Sequence, residues 1–250
     1  MLLVLDCGNS RIKAAVLESS TTVHETAFVP TSQALNGSEE LSSLLGRLAE
    51  TYPLTRSCAV TVVPGMHNII TDGCTRYRIP LTWFDPALQS RLLIDYENPG
   101  ADRVAACYGA VCEFPSRTLT ILDCGTAITL DRVRDGRIFE GGYIIPGMQT
   151  AADALHHATN LIPKITMHGE QTHIGKNTCD CIRSGLTLLY RGGIRTIADR
   201  MLDGQTDSLC VITGGASLYI LDILAGTQCV HRPNLIFSGL YCYMTDIGHL

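Results

Sequence analysis

The chain has 250 residues, 46% of them hydrophobic, enough to fill the core of one large domain or of two ordinary ones. Charged residues make up only 17% and the net charge is -5, so there is no broad basic surface for nucleic-acid phosphates, which excludes nucleic acid as a main partner. No apolar run reaches the roughly 18 residues that cross a bilayer, and Asp6 interrupts the first apolar stretch too early for a signal peptide; a cytosolic protein without a membrane partner is expected.

The first predicted element is an apolar strand that ends in Asp6, within Val4-Leu5-Asp6-Cys7-Gly8-Asn9-Ser10. A glycine turn leads from it into a second strand, Ile12 to Leu17. Val23 to Val29 reads as a third strand, Leu41 to Ala49 as a helix, and Ser57 to Val63 as a buried strand stopped by Pro64-Gly65. Trp83-Phe84, between Pro80 and Pro86, reads as packing, and a helix is expected from Ala101 to Cys112.

The opening pattern then returns as Ile121-Leu122-Asp123-Cys124-Gly125-Thr126-Ala127, followed by a strand from Ile128 to Val133. A third strand spans Arg137 to Ile145, broken by Pro146-Gly147, and Met148 to His157 reads as a helix. Ile182, Leu186, Leu189, Ile194, Ile197 and Met201 recur at mostly helical spacing, which predicts a long helix from about Lys176 to Met201. A strand at Leu209 to Thr213 runs into Gly214-Gly215, a turn expected to open a helix, and a last apolar helix is expected from Asn234 to about Ile247.

A pattern repeated over so long an interval implies two copies of one domain, at residues 1–115 and 116–250. Each copy has three strands with tight turns and then mixed helix and strand, which predicts a two-lobed α/β protein with a central cleft.

Eleven cysteines do not make a secreted disulfide framework in a chain of this length without a leader signal. Cys58, Cys107, Cys112 and Cys210 lie in apolar segments, where a reduced cysteine acts as a small hydrophobe. In a helix the Cys179-x-Cys181 pair would point its sulfurs apart, as adjacent His156 and His157 would their rings, so neither pair reads as a metal site.

Asp-Gly turns alone are ordinary. Two of them opening matched hairpins point to a polyphosphate, which needs approachable backbone N–H groups, hydroxyl donors and acidic residues to hold its cations. Gly8 and Gly125 would leave room for phosphate oxygens, and Ser10 and Thr126 would bring hydroxyls. Asp6 and Asp123 would hold cations, directly or through water, and two such turns facing each other would grip one nucleotide from both sides. Lys13 would add positive charge, or else is a solvated strand lysine; Thr213-Gly214-Gly215-Ala216-Ser217 is either a seat for a base or ribose or a tight turn. There is no Walker motif and no G-x-G-x-x-G after the first strand.

Several segments, taken in order, resemble the type III pantothenate kinase family across nearly the whole chain. Asp6-Cys7-Gly8-Asn9-Ser10-Arg11-Ile12-Lys13 resembles its D-x-G-N-T-R-x-K phosphate loop, with Ser for Thr. Tyr96-Glu97-Asn98-Pro99 and Gly100-Ala101-Asp102-Arg103 resemble its Y-x-N-P and G-x-D-R substrate motif. Asp123 to Ala127 is similar to the second phosphate loop, Gly141 to Gly147 to the G-G-x-I-x-P-G segment, and Gly175-Lys176-Asn177-Thr178 to a late substrate element. Gly100 here follows Pro99 directly, whereas the family usually has a few more residues between the two substrate elements.

The resemblance implies two duplicated ribonuclease H-like (actin-like ATPase) domains and a homodimer. It implies transfer of the ATP γ-phosphoryl group to the primary hydroxyl of pantothenate, giving 4'-phosphopantothenate on the way to coenzyme A. It implies Mg²⁺ with the ATP at Asp6 and a monovalent cation, K⁺ or NH₄⁺, at Asp123, with Gly8, Asn9, Ser10, Lys13, Gly125 and Thr126 about the phosphates. Phosphoryl transfer needs positioning, charge neutralisation and an acceptor for the hydroxyl proton. Asp102 is the candidate acceptor: at a helix start the dipole favours its ionised form, although from spacing alone it would be a helix cap. Arg103 would take the pantothenate carboxylate in its guanidinium fork. Tyr96, Gly100 and Thr178 would line the acceptor, with Thr178 reaching in from the other subunit. Two alternatives stand beside this reading, a kinase for another small hydroxylated substrate and a non-catalytic nucleotide-binding accessory factor in transcription.

Overall fold

A computed structural model describes residues 1–37, 39–167, 172–202 and 207–250. The chain divides into two compact units, one made of Met1–Pro115 with Asn234–Leu250 and the other of Ser116–Pro233.

In the first unit β1 (Leu2–Cys7), β2 (Arg11–Leu17) and β3 (Val23–Pro30) form an antiparallel meander. Helices α1 (Thr31–Leu35) and α2 (Glu40–Thr51) follow. β4 (Arg56–Thr61) joins the other side of β1 in parallel, α3 (Met66–Arg76) follows, and β5 (Leu81–Trp83) lies parallel to β4. The sheet order is β3-β2-β1-β4-β5. All six residues of β1 are buried, as befits a central strand covered on both faces. Leu3, Leu5 and Cys7 pack into a core with Leu41, Leu45 and Leu48 of α2 and Met66 and Ile70 of α3. After the two-residue strand β6 (Leu93–Ile94), α4 (Ala101–Glu113) packs on β4.

The second unit repeats this plan. β7 (Thr118–Cys124), β8 (Ala127–Arg134) and β9 (Ile138–Pro146) form the meander, and α5 (Met148–Ala158) and α6 (Thr178–Leu202) follow. β10 (Ser208–Thr213) lies parallel to β7, and β11 (Cys229–His231) parallel to β10. The order β9-β8-β7-β10-β11 matches the first sheet strand for strand. Each unit is thus an α/β layer around a mixed sheet, and the sequence repeat corresponds to a repeat of topology.

Three elements differ from expectation. α7 (Leu235–Asp246) belongs with the first unit, although Asn234–Leu250 was expected in the second domain. It packs on β1, β4 and α4. A Cβ on Gly109 of α4 would lie 2.5 Å from the Leu235 carbonyl oxygen, and one on Gly239 would collide with that of Ala105, so the two helix backbones touch. No helix follows Gly214-Gly215; two short 3-10 turns, Ser217–Tyr219 and Leu221–Leu224, bury Ile220, Ile223 and Leu224 instead. On α6 the buried stripe runs Thr187, Tyr190, Ile194, Ala198, Met201, and Leu189, expected on the apolar face, is exposed. Tyr190 takes that place because its hydroxyl donates to the Pro146 carbonyl at 2.6 Å while its ring faces the core. No described helix is long and apolar enough to cross a membrane.

Candidate active site

The first hairpin places Asp6 opposite Lys13 in the β1–β2 register, and Lys13 Nζ donates to Asp6 Oδ2 at 3.0 Å. Asp6 is 5% exposed, so its carboxylate is a buried charge with a cation beside it. The Gly8 amide donates to the Arg11 carbonyl at 3.1 Å and closes the turn. Thr31 fixes this loop from below: its hydroxyl donates to the Gly8 carbonyl at 2.7 Å and its amide to the Ser10 carbonyl at 3.1 Å. Asn9, Ser10 and Arg11 are left exposed at the tip. Sequence reasoning passed over Thr31, whose signal was a hydroxyl residue just past the third strand.

Asp102 lies in the first turn of α4, and Gly100, not Asp102, is the N-cap residue. The Arg103 amide donates to Asp102 Oδ1 at 2.8 Å, which folds the carboxylate back over the helix start. A Cβ on Gly100 would sit 2.7 Å from that same Oδ1. Burial pushes the Asp102 pKa above the ordinary carboxylate value, and the charge of Asp6 adds to the rise; the Arg103 amide and guanidinium pull the other way and lose. The helix start was expected to favour the ionised form, and here desolvation outweighs it. The influence of Asp6 puts Asp102 and the first phosphate loop in one electrostatic neighbourhood.

Arg103 is buried, contrary to what a surface arginine would show, and its guanidinium carbon lies 5.2 Å from the centroid of the half-exposed Tyr96 ring. The short connection from Tyr96 to Gly100 turns through Asn98, whose φ is 50°.

In the second unit Gly125 donates to the Ala127 carbonyl at 3.0 Å. Three residues separate the paired Cys124 and Ile128, against four between Cys7 and Ile12, so this turn is one residue tighter. Asp123 stands opposite Thr129, where the first hairpin has Lys13, so the two hairpins carry different charge. The loop is gripped from two sides. The Gly147 amide and the Thr150 hydroxyl at the start of α5 donate to the Thr126 carbonyl at 2.8 and 2.7 Å. Gly214, at φ 92°, lies so close to Asp123 that a Cβ would collide with Oδ1 and with the Cys124 amide, and the Ala216 amide donates to the Cys124 carbonyl at 3.0 Å. The turn Thr213 to Ser217 is therefore seated on the second hairpin. Asp123, Gly125 and Thr126 are brought together with it, while Thr178 is exposed at the first residue of α6. Among the described residues no group of three His, Cys, Asp or Glu side chains gathers as for a metal ion.

The family model for type III pantothenate kinase matches residues 2–200. The type III pantothenate kinase of Desulfosudis oleivorans is 32% identical over 251 residues, covering 96% of this chain and 97% of the relative. Among solved structures, a Campylobacter jejuni protein assigned to the Baf family of transcriptional activators aligns with 99% of this chain and 100% of its own, at a TM-score of 0.65 and 18% identity. The inorganic polyphosphate/ATP-glucomannokinase of Arthrobacter sp. strain KM aligns over 98% of both chains at a TM-score of 0.54 and 14% identity. At such identities the two structures speak for the fold alone.

Proposed function

The chain belongs to the type III pantothenate kinase family, and we propose that it transfers the γ-phosphoryl group of ATP to the primary hydroxyl of pantothenate, the first step towards coenzyme A. The observation that carries this reading is Asp102, a carboxylate folded over a helix start and given a raised proton affinity by its burial. Such a group can accept the hydroxyl proton as the phosphoryl group moves.

Arg103 binds the pantothenate carboxylate through its guanidinium fork, with Tyr96 stacked on it and Gly100 clearing the approach. Thr178 adds to the acceptor site from the other subunit of a homodimer. The phosphates lie along Gly8, Asn9, Ser10, Lys13, Gly125 and Thr126. Gly8 supports this reading in a way that Gly100 and Gly214 do not. A Cβ at Gly8 would meet only the Arg11 carbonyl at 3.5 Å, an ordinary contact, so the chain's own packing does not require glycine there. A phosphate drawn close to the backbone would.

The residues also fit the implied cations. Asp6 has a carboxylate oxygen for Mg²⁺, directly or through water, and Lys13 beside it balances the charge when the metal is away. Asp123, which ends β7 opposite Thr129, has a carboxylate that suits a monovalent cation, K⁺ or NH₄⁺. Bound cations neutralise charge on the transferring group. The enzyme works in the cytoplasm.

A coupled assay of ADP release, run with pantothenate, with several sugars and with no acceptor, tests the reading. Turnover with pantothenate alone, requiring K⁺ or NH₄⁺ in place of Na⁺, is expected. Turnover with a sugar instead would assign another kinase, and ATP binding without turnover would assign a nucleotide-binding accessory factor.

A further inference from the structure

Asp246 is the last residue of α7 and its only charged one. An acid at that end of a helix faces the negative pole of the helix dipole, so nothing in α7 itself favours it there. Its partners lie elsewhere in the first unit. Arg91 binds it with both prongs of the guanidinium, Nε to Oδ2 at 2.6 Å and Nη2 to Oδ1 at 2.7 Å, and the Tyr108 hydroxyl of α4 donates to the same Oδ2. The Arg91 hydrogen bonds, with a smaller pull from Tyr108, hold the Asp246 carboxyl below the usual carboxylate range.

Both partners are themselves fixed. The Gln89 side-chain carbonyl accepts from the Arg91 and Leu92 amides at 3.0 and 2.7 Å, and its NH₂ group donates to the Leu92 carbonyl at 2.7 Å, so Arg91 is anchored through its backbone as well. Tyr108 is fully buried, edge-on to Phe84 and Tyr243. A bidentate pair between groups already held in place escapes the entropy cost that cancels most surface ion pairs. The two partners bracket the proposed acceptor residues: Arg91 stands five residues before Tyr96 and Tyr108 five after Arg103, with Gly100 and Asp102 between. No residue from 93 to 100 is buried, so this stretch has little core of its own to hold it.

We propose that Asp246 is a positioning residue: one carboxylate, outside every motif of the site, fastens both ends of the segment 91–108 and so sets where Tyr96, Asp102 and Arg103 stand. It acts through Arg91 and Tyr108 and not on the substrate. The substrate in this account rests on the pantothenate kinase reading; the fastening does not.

The test compares Arg91→Ala, Tyr108→Phe and Asp246→Ala with the wild type, in the kinetics of both substrates and in hydrogen exchange of peptides spanning residues 93–103. Arg91 is exposed and Tyr108→Phe keeps the buried ring, so these two variants decide the matter if Asp246→Ala does not fold. The expected result is a rise of about tenfold in the KM for pantothenate, with kcat/KM down by up to about 10²-fold. The KM for ATP should stay at wild type, and faster exchange should be confined to residues 93–103. Adding Arg91→Ala to Asp246→Ala should cost nothing more, because the partner is already gone. A role in stability alone would reduce the amount of active enzyme, and with it kcat, and leave both KM values unchanged; that result overturns the proposal, as does unchanged exchange in residues 93–103. Absence of pantothenate turnover in the wild type would instead refute the assigned substrate, and exchange alone would then decide whether Asp246 holds the segment.

Discussion

Gly100 lacks a side chain where Asp102 keeps its carboxylate: a Cβ there would lie 2.7 Å from Asp102 Oδ1. The proposed proton acceptor is thus positioned by an absence two residues before it. In Gly100→Ala the carboxylate must swing away from the Arg103 amide. A misplacement of this kind costs up to about 10²-fold in turnover. The kcat for pantothenate should fall by that order while the KM for ATP stays near wild type; an unchanged kcat would show that Asp102 need not lie where it does.

Asp102 has a second, opposite signature in stability. Its folded pKa is raised, so the native state binds its proton more tightly than the unfolded chain does. The contribution to stability is present below the unfolded pKa and is lost as pH rises through the folded one. At neutral pH the ionised carboxylate is therefore a net cost to folding. Asp102→Asn, which keeps the Oδ1 acceptor for the Arg103 amide, should raise the thermal midpoint at pH 7 and leave it nearly unchanged at low pH. In the wild type, kcat/KM should fall on the acid side at a higher pH than for an ordinary carboxylate base.

Gly214 is constrained by its backbone and by its neighbours. Its φ of 92° disfavours any L side chain, and a Cβ would meet Asp123 Oδ1 and the Cys124 amide. Gly214→Ala should destabilise the protein by about 1–3 kcal/mol, read as a drop in the calorimetric midpoint, and weaken nucleotide binding through displacement of the second hairpin. Loss of neither would mean that the Thr213 to Ser217 turn does not depend on its seat.

The α4–α7 contact makes a purely structural prediction. Gly239→Ala puts a methyl group into the Ala105 carbonyl, and overpacking of this sort costs about 1–3 kcal/mol. At Gly192, on the exposed side of α6, a Cβ would meet nothing within 4 Å, so Gly192→Ala should instead stabilise by about 0.5–1 kcal/mol. Chemical denaturation of the two variants beside wild type checks both signs.

Much of this was readable from residue order. Asp6-Cys7-Gly8 and Asp123-Cys124-Gly125 announced a duplicated hairpin because an apolar strand, an acid and a turn residue are each local features, and β1–β3 and β7–β9 follow from them. The segments without a clear period were not legible: α3, which carries His67, Asn68, Thr71 and Asp72 among its apolar residues, and the three-residue β5. Nor was the return of α7 to the first unit, which depends on Gly109 and Gly239 meeting across 130 residues of chain and leaves no mark in either helix alone. At the site, motif spacing named Asp102 and Arg103 but not their electrostatics. The helix start was visible in the sequence, and the burial that overrides it was not. Arg103 has the same character, a charged residue whose burial under Tyr96 is a property of packing.

The most direct measurement is pantothenate-dependent ADP formation by Asp102→Asn protein, with ATP binding followed on the same sample. A loss of about 10²–10⁴-fold in kcat with nucleotide affinity retained is predicted for removal of a general base. Turnover at the wild-type rate would contradict the role given to Asp102 and, with it, the account of this site.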